Sequence, residues 1–219
     1  MQVEIPKLLD NQYIFPDPKE ASEHGLLAWG GDLSPKRLIS AYRSGIFPWY
    51  SKGDPLLWWS PNPRLILIPS EFRVTKSLKK SRKKFSVKFN SNFSEVILKC
   101  SSLRKDTWIT KEMIRAYETL HVMGYAKSVE CYEEDILVGG LYGVQIGSLF
   151  CGESMFSLVR DASKVALWSL CEVMIKNGGS FIDCQMPTDH LKSLGAKEVY
   201  RDKFLKELES NRDKEVKLF

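Results

Sequence analysis

The sequence predicts an α+β fold in two parts: a small aromatic-rich N-terminal domain over residues 1–63, then a mixed β-sheet domain with helices on both faces over residues 64–219. Two observations carry this. Up to Arg64 the chain is crowded with proline, glycine and tryptophan and offers one clear helix, whereas from Leu65 it turns into short apolar strand runs and helical periodicities. From Lys111 onward those segments read α-β-β-β-α-β, an order satisfied by a mixed sheet covered on both sides. With 219 residues, 43% hydrophobic and 27% charged, the chain has ordinary globular composition and enough apolar mass for a sizeable core.

The first thirty residues are loop-rich, with Phe15-Pro16-Asp17-Pro18 favouring extended backbone and turns. Gly31-Asp32-Leu33-Ser34-Pro35 then marks a helix start, Ser34 as N-cap and Pro35 in the first helical position. That helix is predicted over Lys36 to Ser44, with Leu38, Ala41 and Tyr42 on one face and Gly45 as the stop. Trp49, Tyr50, Trp58 and Trp59 follow among prolines that block regular helix. Such a cluster either forms a small aromatic core or offers a rigid platform on which bases stack.

Leu65 to Ile68 reads as a strand, Thr75 to Lys83 as a short basic helix, and Phe85 to Asn90 alternates as a half-exposed strand. A helix from Asn92 to Cys100 and another from Lys111 to Val122 come next, the second with Met113, Tyr117 and Leu120 inward. Ala126 to Tyr132 and Ile136 to Val144 form a hairpin, and Ser148 to Cys151 a strand reaching a tight pair at Gly152-Glu153. A long helix over Asp161 to Asn177 and a strand over Phe181 to Gln185 complete the pattern; Leu191 to Leu194 and Arg201 to Arg212 close the chain as helix or tail.

Several function classes recede. No run approaches the roughly 18 apolar residues of a membrane span, and Met1 to Pro6 lacks the basic-then-apolar layout of a secretory leader. The five cysteines are scattered with no C-x-x-C pair, which fits a reduced cytoplasmic chain. His24, His121 and His190 show no ligand spacing, so no metal is expected. Net charge is a modest +5. Yet Arg73, Lys76, Lys79, Lys80, Arg82, Lys83, Lys84 and Lys88 fall in a stretch without an acid from Glu71 to Glu95. This is a solvated face or a patch that tracks phosphates.

The candidate active site is the stretch from Gly147 to Gln185. It places Glu153, Asp183 and Gln185 at or near the ends of apolar strands, where a carboxylate is costly unless it has a partner or a task. Asp183 and Gln185 are two apart and share a face on a regular strand.

Several strings taken in order carry a resemblance. They include Gly25-Leu26-Leu27-Ala28-Trp29-Gly30-Gly31-Asp32-Leu33-Ser34, Gly45-Ile46-Phe47-Pro48-Trp49 and Trp58-Trp59-Ser60-Pro61-Asn62-Pro63-Arg64. Thr107-Trp108-Ile109-Thr110, Leu137 to Gly143, Phe150-Cys151-Gly152-Glu153-Ser154-Met155-Phe156-Ser157 and Ile182-Asp183-Cys184-Gln185 continue the series. Over roughly residues 15 to 205 the chain resembles the leucyl/phenylalanyl-tRNA–protein transferases. The resemblance implies a GNAT-like second domain and a bacterial, cytoplasmic aminoacyltransferase of the N-end rule. It implies transfer of Leu or Phe, with Met a further donor, from aminoacyl-tRNA to the α-amine of proteins beginning with Arg or Lys. The charged tRNA is a substrate, and no cofactor or metal is implied.

The resemblance further implies catalysis by Asp183 and Gln185, with the terminal adenosine of the tRNA among Tyr42, Trp49 and Trp108. On this reading Gln185 orients the attacking amine, Asp183 fixes the amide and stabilises developing positive charge, and Glu153 serves as an anion for the acceptor. Phe150, Met155, Ile182 and Leu141 would line the pocket for the transferred side chain. Lys76, Lys79, Lys80, Arg82, Lys83 and Lys84 would hold acceptor-stem phosphates. Two rivals remain. An acetyl-CoA-dependent enzyme would carry a glycine-containing pyrophosphate loop, but Ser157 to Lys164 holds no glycine. A non-catalytic tRNA-binding protein leaves Glu153, Asp183 and Gln185 without a reason to gather.

Overall fold

A computed structural model describes residues 5–10, 13–103 and 107–219; most of the Met1 to Pro6 stretch read for a leader layout lies outside them. The N-terminal part is less loop-built than expected. Strands β1 (Lys7–Leu8), β2 (Leu26–Gly30), β3 (Phe47–Pro48) and β4 (Leu57–Trp59) form a four-stranded sheet in the order β1-β2-β4-β3. They are too short and too rich in Pro and Gly to show strand alternation. Helix α1 (Pro35–Arg43) starts at Ser34, but the serine hydroxyl makes no capping bond; Asp32 instead accepts from the Ser34 amide at 2.8 Å.

The second sheet has seven strands: β5 (Arg64–Leu67), β6 (Ser86–Phe89), β7 (Ala126–Glu133), β8 (Ile136–Ile146), β9 (Leu149–Ser157), β10 (Ile182–Gln185) and β11 (Lys197–Val199). Their spatial order is β11-β5-β10-β9-β8-β7-β6, with β10 parallel to β9 and every other pairing antiparallel. Strand β11 is a short, mostly exposed edge that no sequence alternation announced.

Side-chain caps begin four helices of this part: Thr75 caps α2 (Lys76–Arg82), Asn92 caps α3 (Phe93–Ser102), Thr110 caps α4 (Lys111–Val122) and Thr188 caps the short helix over Asp189–Ser193. Helix α5 (Ala162–Asn177) packs on one face of the sheet, while α3 and α4 cover the other. The short α6 (Asp189–Ser193) and the C-terminal α7 (Arg201–Asn211) complete the fold. The mixed sheet clothed on both sides is thus the predicted α+β arrangement. Trp58, Phe47 and Leu38 bury against the same core as Ile109, Met113 and Tyr117, so the aromatic N-terminal part has no separate core of its own.

Candidate active site

Strands β9 and β10 pair in parallel only at Ile182↔Phe150 and Asp183↔Cys151, and then part. Strand β9 runs on to Ser157 beside β8, while β10 ends at Gln185. A cavity of about 570 Å³ opens where they separate. Its wall comes from β8 (Leu141, Tyr142), β9 (Phe150, Met155), β10 (Ile182, Cys184) and α5 (Leu167, Leu170), with Trp49 and Trp108 also lining it. Gly143 makes the floor possible. A Cβ there would lie 2.2 Å from the Cys151 carbonyl and 2.6 Å from the Phe150 ring, so no larger residue lets that ring lie in place.

Gly152-Glu153 is not the tight pair expected from sequence. Both belong to one continuous strand, and the β8–β9 register slips there: Gly143 faces Gly152 and Tyr142 faces Ser154, leaving Glu153 as the extra residue. A bulge of this kind re-aims a side chain without ending the strand. The Glu153 carboxylate turns into the cavity wall and is largely buried. Tyr42 Oη and Gln185 Nε2 each donate to its Oε1 at 2.7 Å, and Tyr117 Oη donates to Oε2 at 3.0 Å. The two tyrosine hydroxyls also touch each other. Burial pushes the Glu153 carboxyl up to about 7, against the pull of these three hydrogen bonds. The same burial, with Glu153 beside them, holds both phenols well above their ordinary value.

Strand β10 departs from the regular geometry assumed for it. Its register against β5 shifts between Asp183 and Gln185, and Gln185 takes the left-handed φ of 62°. Asp183 therefore does not fix the Gln185 side-chain amide. Its Oδ1 accepts the Gln185 backbone N–H at 2.9 Å, and its two oxygens take a bidentate guanidinium from Arg64 at 2.8 and 2.7 Å. Asp183 is 2% exposed and is not among the residues lining the cavity. Its charge is already matched by Arg64.

The structure brings Glu153, Gln185, Trp49, Trp108, Phe150, Met155, Ile182 and Leu141 together around this one cavity. Tyr42 is a different case. Its ring is 2% exposed in the core and offers no face for a base; only its hydroxyl reaches the site, at Glu153. Trp49 is 39% exposed at the cavity edge and is braced edge-to-face by Trp59, with ring centres 5.4 Å apart.

Among the basic residues, Lys76, Lys79, Lys80, Lys83 and Lys84 are exposed and form no ion pair among the described residues. Arg82 is spoken for: it forks onto Glu172 at 2.8 and 2.6 Å and lies 4.3 Å over the Trp168 ring. Helix α2 meets the start of α5 through Ser81 Oγ, which donates to Asp161 at 2.8 Å. Asp161 stands about 9 Å along the helix axis from Leu167 in the cavity wall.

Two participants were missed in the sequence, Tyr117 and Arg64. Each left a signal. A tyrosine on the inward face of a helix brings a hydroxyl needing a partner. An arginine opening an apolar strand calls for an acid on a neighbouring strand.

An apolar chamber closed at one end by a titrating carboxylate and an amide suits the movement of an acyl group onto an amine, and in outline the chain is an acyltransferase. Comparison with known proteins narrows this. The model of the leucyl/phenylalanyl-tRNA protein transferase N-terminal domain matches residues 31–62, and that of leucyl/phenylalanyl-tRNA protein transferase matches residues 66–209. A leucyl/phenylalanyl-tRNA–protein transferase of Sulfurimonas denitrificans is 56% identical over 208 residues, covering 93% of this chain and 91% of the relative. One from Photobacterium profundum is 50% identical over 218 residues, covering 97% and 92%. The chain belongs to the leucyl/phenylalanyl-tRNA protein transferase family and is an aminoacyltransferase. Among solved structures, a GCN5-related N-acetyltransferase from Kribbella flavida aligns over 75% of this chain and 60% of its own, at 9% identity and a TM-score of 0.40.

Proposed function

We propose that the protein transfers leucine or phenylalanine, with methionine a further donor, from charged tRNA to the α-amine of proteins that begin with Arg or Lys. The product enters N-end rule degradation in a bacterial cytoplasm, and no cofactor is used; the charged tRNA is a substrate. The observation that carries the reading is the Glu153–Gln185 pair set in the wall of an apolar cavity of about 570 Å³. That volume falls within the range of pockets for small ligands.

The donor is an ester and is already activated, so the enzyme chiefly has to place the amine and relieve it of a proton. An α-amine titrates at about 7.7–8.0. A carboxylate held near 7 can take that proton near neutrality. Gln185 directs its Nε2 at Glu153, which leaves Oε1 free to accept from the amine and orient its lone pair. The amine attacks the ester carbonyl, the C–O bond to the ribose breaks, and the ribose oxygen leaves with the proton that the amine gave up. An amide and an uncharged tRNA result.

Phe150, Met155, Ile182, Leu141, Leu167 and Leu170 give the donor side chain an apolar wall that rejects charge. It sorts apolar chains poorly, because one methylene is worth only about 1–3 kcal/mol. On this reading Trp49 and Trp108, which line the cavity, stack the terminal adenosine, and the exposed lysines of α2 and the turn after it hold the acceptor-stem phosphates. Among the described residues lining the cavity Glu153 is the one acid, which favours a cationic N-terminal residue nearby.

The test offers radiolabelled Leu-, Phe- and Met-tRNA with peptides differing only in their first residue. Transfer to peptides starting with Arg or Lys is expected. Transfer without regard to the first residue, or none from any of these tRNAs, overturns the proposal.

A further inference from the structure

We propose that Arg64 is a positioning residue for the transfer reaction: by gripping Asp183 from behind the cavity, it holds the turn that aims the Gln185 amide at Glu153 and at the acceptor amine. The inference rests on the reading of Glu153 and Gln185 given above.

Arg64 opens strand β5 and is 1% exposed. Its Nε and Nη2 form the two parallel bonds to Asp183 at 2.8 and 2.7 Å, and Nη1 donates to the Gly45 carbonyl at 3.2 Å. The plane of the guanidinium is held between Phe47 and Phe204, 4.8 and 4.4 Å from the ring centres. Position and tilt are both fixed, since a fork has one way to meet a carboxylate and two rings forbid it to swing. A carboxylate held by both oxygens keeps Oδ1 in one place, and that Oδ1 accepts the Gln185 N–H at 2.9 Å. The local turn so closed carries Gln185 at φ 62°, a conformation that residues with a Cβ hold only when their surroundings impose it. The left-handed step in turn brings Nε2 to 2.7 Å from Glu153. A relay of fixed geometry therefore runs from guanidinium to carboxylate, to backbone, to amide, to the titrating acid.

The same guanidinium reaches the other wall. Gly45 lies two residues before Phe47 and four before Trp49, both of which line the cavity, so one side chain ties the Trp49 wall to the Gln185 wall. Arg64 itself does not line the cavity, which makes it a positioning residue with no contact to substrate. A lysine supplies a point charge without the fork and cannot hold both Asp183 oxygens and Gly45 in plane.

The experiment compares wild type with R64K and R64A in steady-state transfer from Leu-tRNA to a peptide beginning with Arg, below the melting transition of each variant. R64K is expected to lose about tenfold to a hundredfold in kcat, the scale set by misplacing a reacting group by about 1 Å. Its KM for charged tRNA should stay within about twofold, a split that a general loosening of the fold would not produce. Guanidinium ion at low millimolar concentration should restore part of the kcat of R64A, while methylammonium, with the same charge and no fork, should not. Wild-type kcat in R64K overturns the inference, and so does equal rescue by the two ions. Should R64A fail to fold, R64K alone decides. Glu153→Gln and Gln185→Ala, run alongside, separate the two claims: full transfer in both removes the reading of the site, whereas their loss with an active R64K removes only the role of Arg64.

Discussion

Replacing Glu153 by glutamine should remove a pH dependence that the buried carboxylate imposes on the whole fold. The side chain keeps its size, and the tyrosine hydroxyls and the Gln185 amide can turn to suit the new amide. Glu153 titrates at about 7 in the folded protein against an ordinary value of 4.5. A carboxyl raised on folding binds its proton more tightly in the native state, so it stabilises the protein fully below about pH 4.5. That contribution is lost as pH rises through about 7. A shift of this size is worth about 3 kcal/mol in all, of which about 2–3 kcal/mol falls between about pH 5 and pH 8. The assay is urea unfolding of wild type and E153Q at unit steps across that range. Every other titration is common to both proteins and cancels, and any fixed cost of the substitution is an offset. Wild type is expected to lose about 2–3 kcal/mol relative to E153Q as pH rises. Parallel curves would show that Glu153 is ionised throughout and would refute the argument from burial. The same titration should set an acidic limb near pH 7 in the wild-type transfer rate.

Three further outcomes test other parts of the site. Removing Lys79, Lys80, Lys83 and Lys84 together should weaken tRNA binding and lower the slope of log affinity against log salt by about three, read by filter binding from low to moderate salt; an unchanged slope would make the stretch a solvated face. Trp49→Ala should raise the KM for charged tRNA by about tenfold, in line with the roughly 1–3 kcal/mol of a stacked base, and leave the melting temperature nearly unmoved because the ring is 39% exposed; an unchanged KM would deny it the adenosine. Gly143→Ala must displace the Cys151 carbonyl or the Phe150 ring. It should cost about 1–3 kcal/mol in urea unfolding and narrow the donor pocket, so that Phe-tRNA suffers more than Leu-tRNA; equal loss on both donors would place the strain elsewhere.

The parts of the fold that sequence could foretell are those set by near neighbours in the chain. Asn92, Thr110 and Thr75 stand directly before runs of helical period, and each caps its helix as the local rule requires. The hairpin of β7 and β8 and the first half of β9 likewise declare themselves, whereas the continuation of β9 past Cys151 to Ser157 does not. What stayed hidden depends on contacts between distant residues. The N-terminal sheet is assembled from strands of two to five residues, in which β2 pairs with β4 some thirty positions away. The bulge at Glu153 is a property of the β8–β9 pair and cannot be seen in either strand alone. The period of α1 puts Tyr42 on the face of Leu38 and Ala41, but does not show that α4 packs there and leaves the ring no face for a base. Arg82 looked like one more cation until α5 brought Glu172 and Trp168 against it.

The site also shows how two carboxylates thirty residues apart in the chain come to hold different offices in one small volume. Asp183 meets a guanidinium that satisfies both of its oxygens, and with its charge matched it serves as a rigid anchor. Glu153 meets only neutral donors, two phenols and an amide, which lessen the penalty of burial without cancelling it. Asp183 adds to that penalty from nearby, since its charge raises the Glu153 carboxyl further. An environment that keeps one acid paired and leaves its neighbour poised near neutrality is how a single site obtains a fixed anion and an exchangeable proton together. Exchanging the two settings would cost both functions. On the proposed mechanism a Glu153 matched by arginine could not take up the proton of the amine, and an unmatched Asp183 could not hold the turn at Gln185.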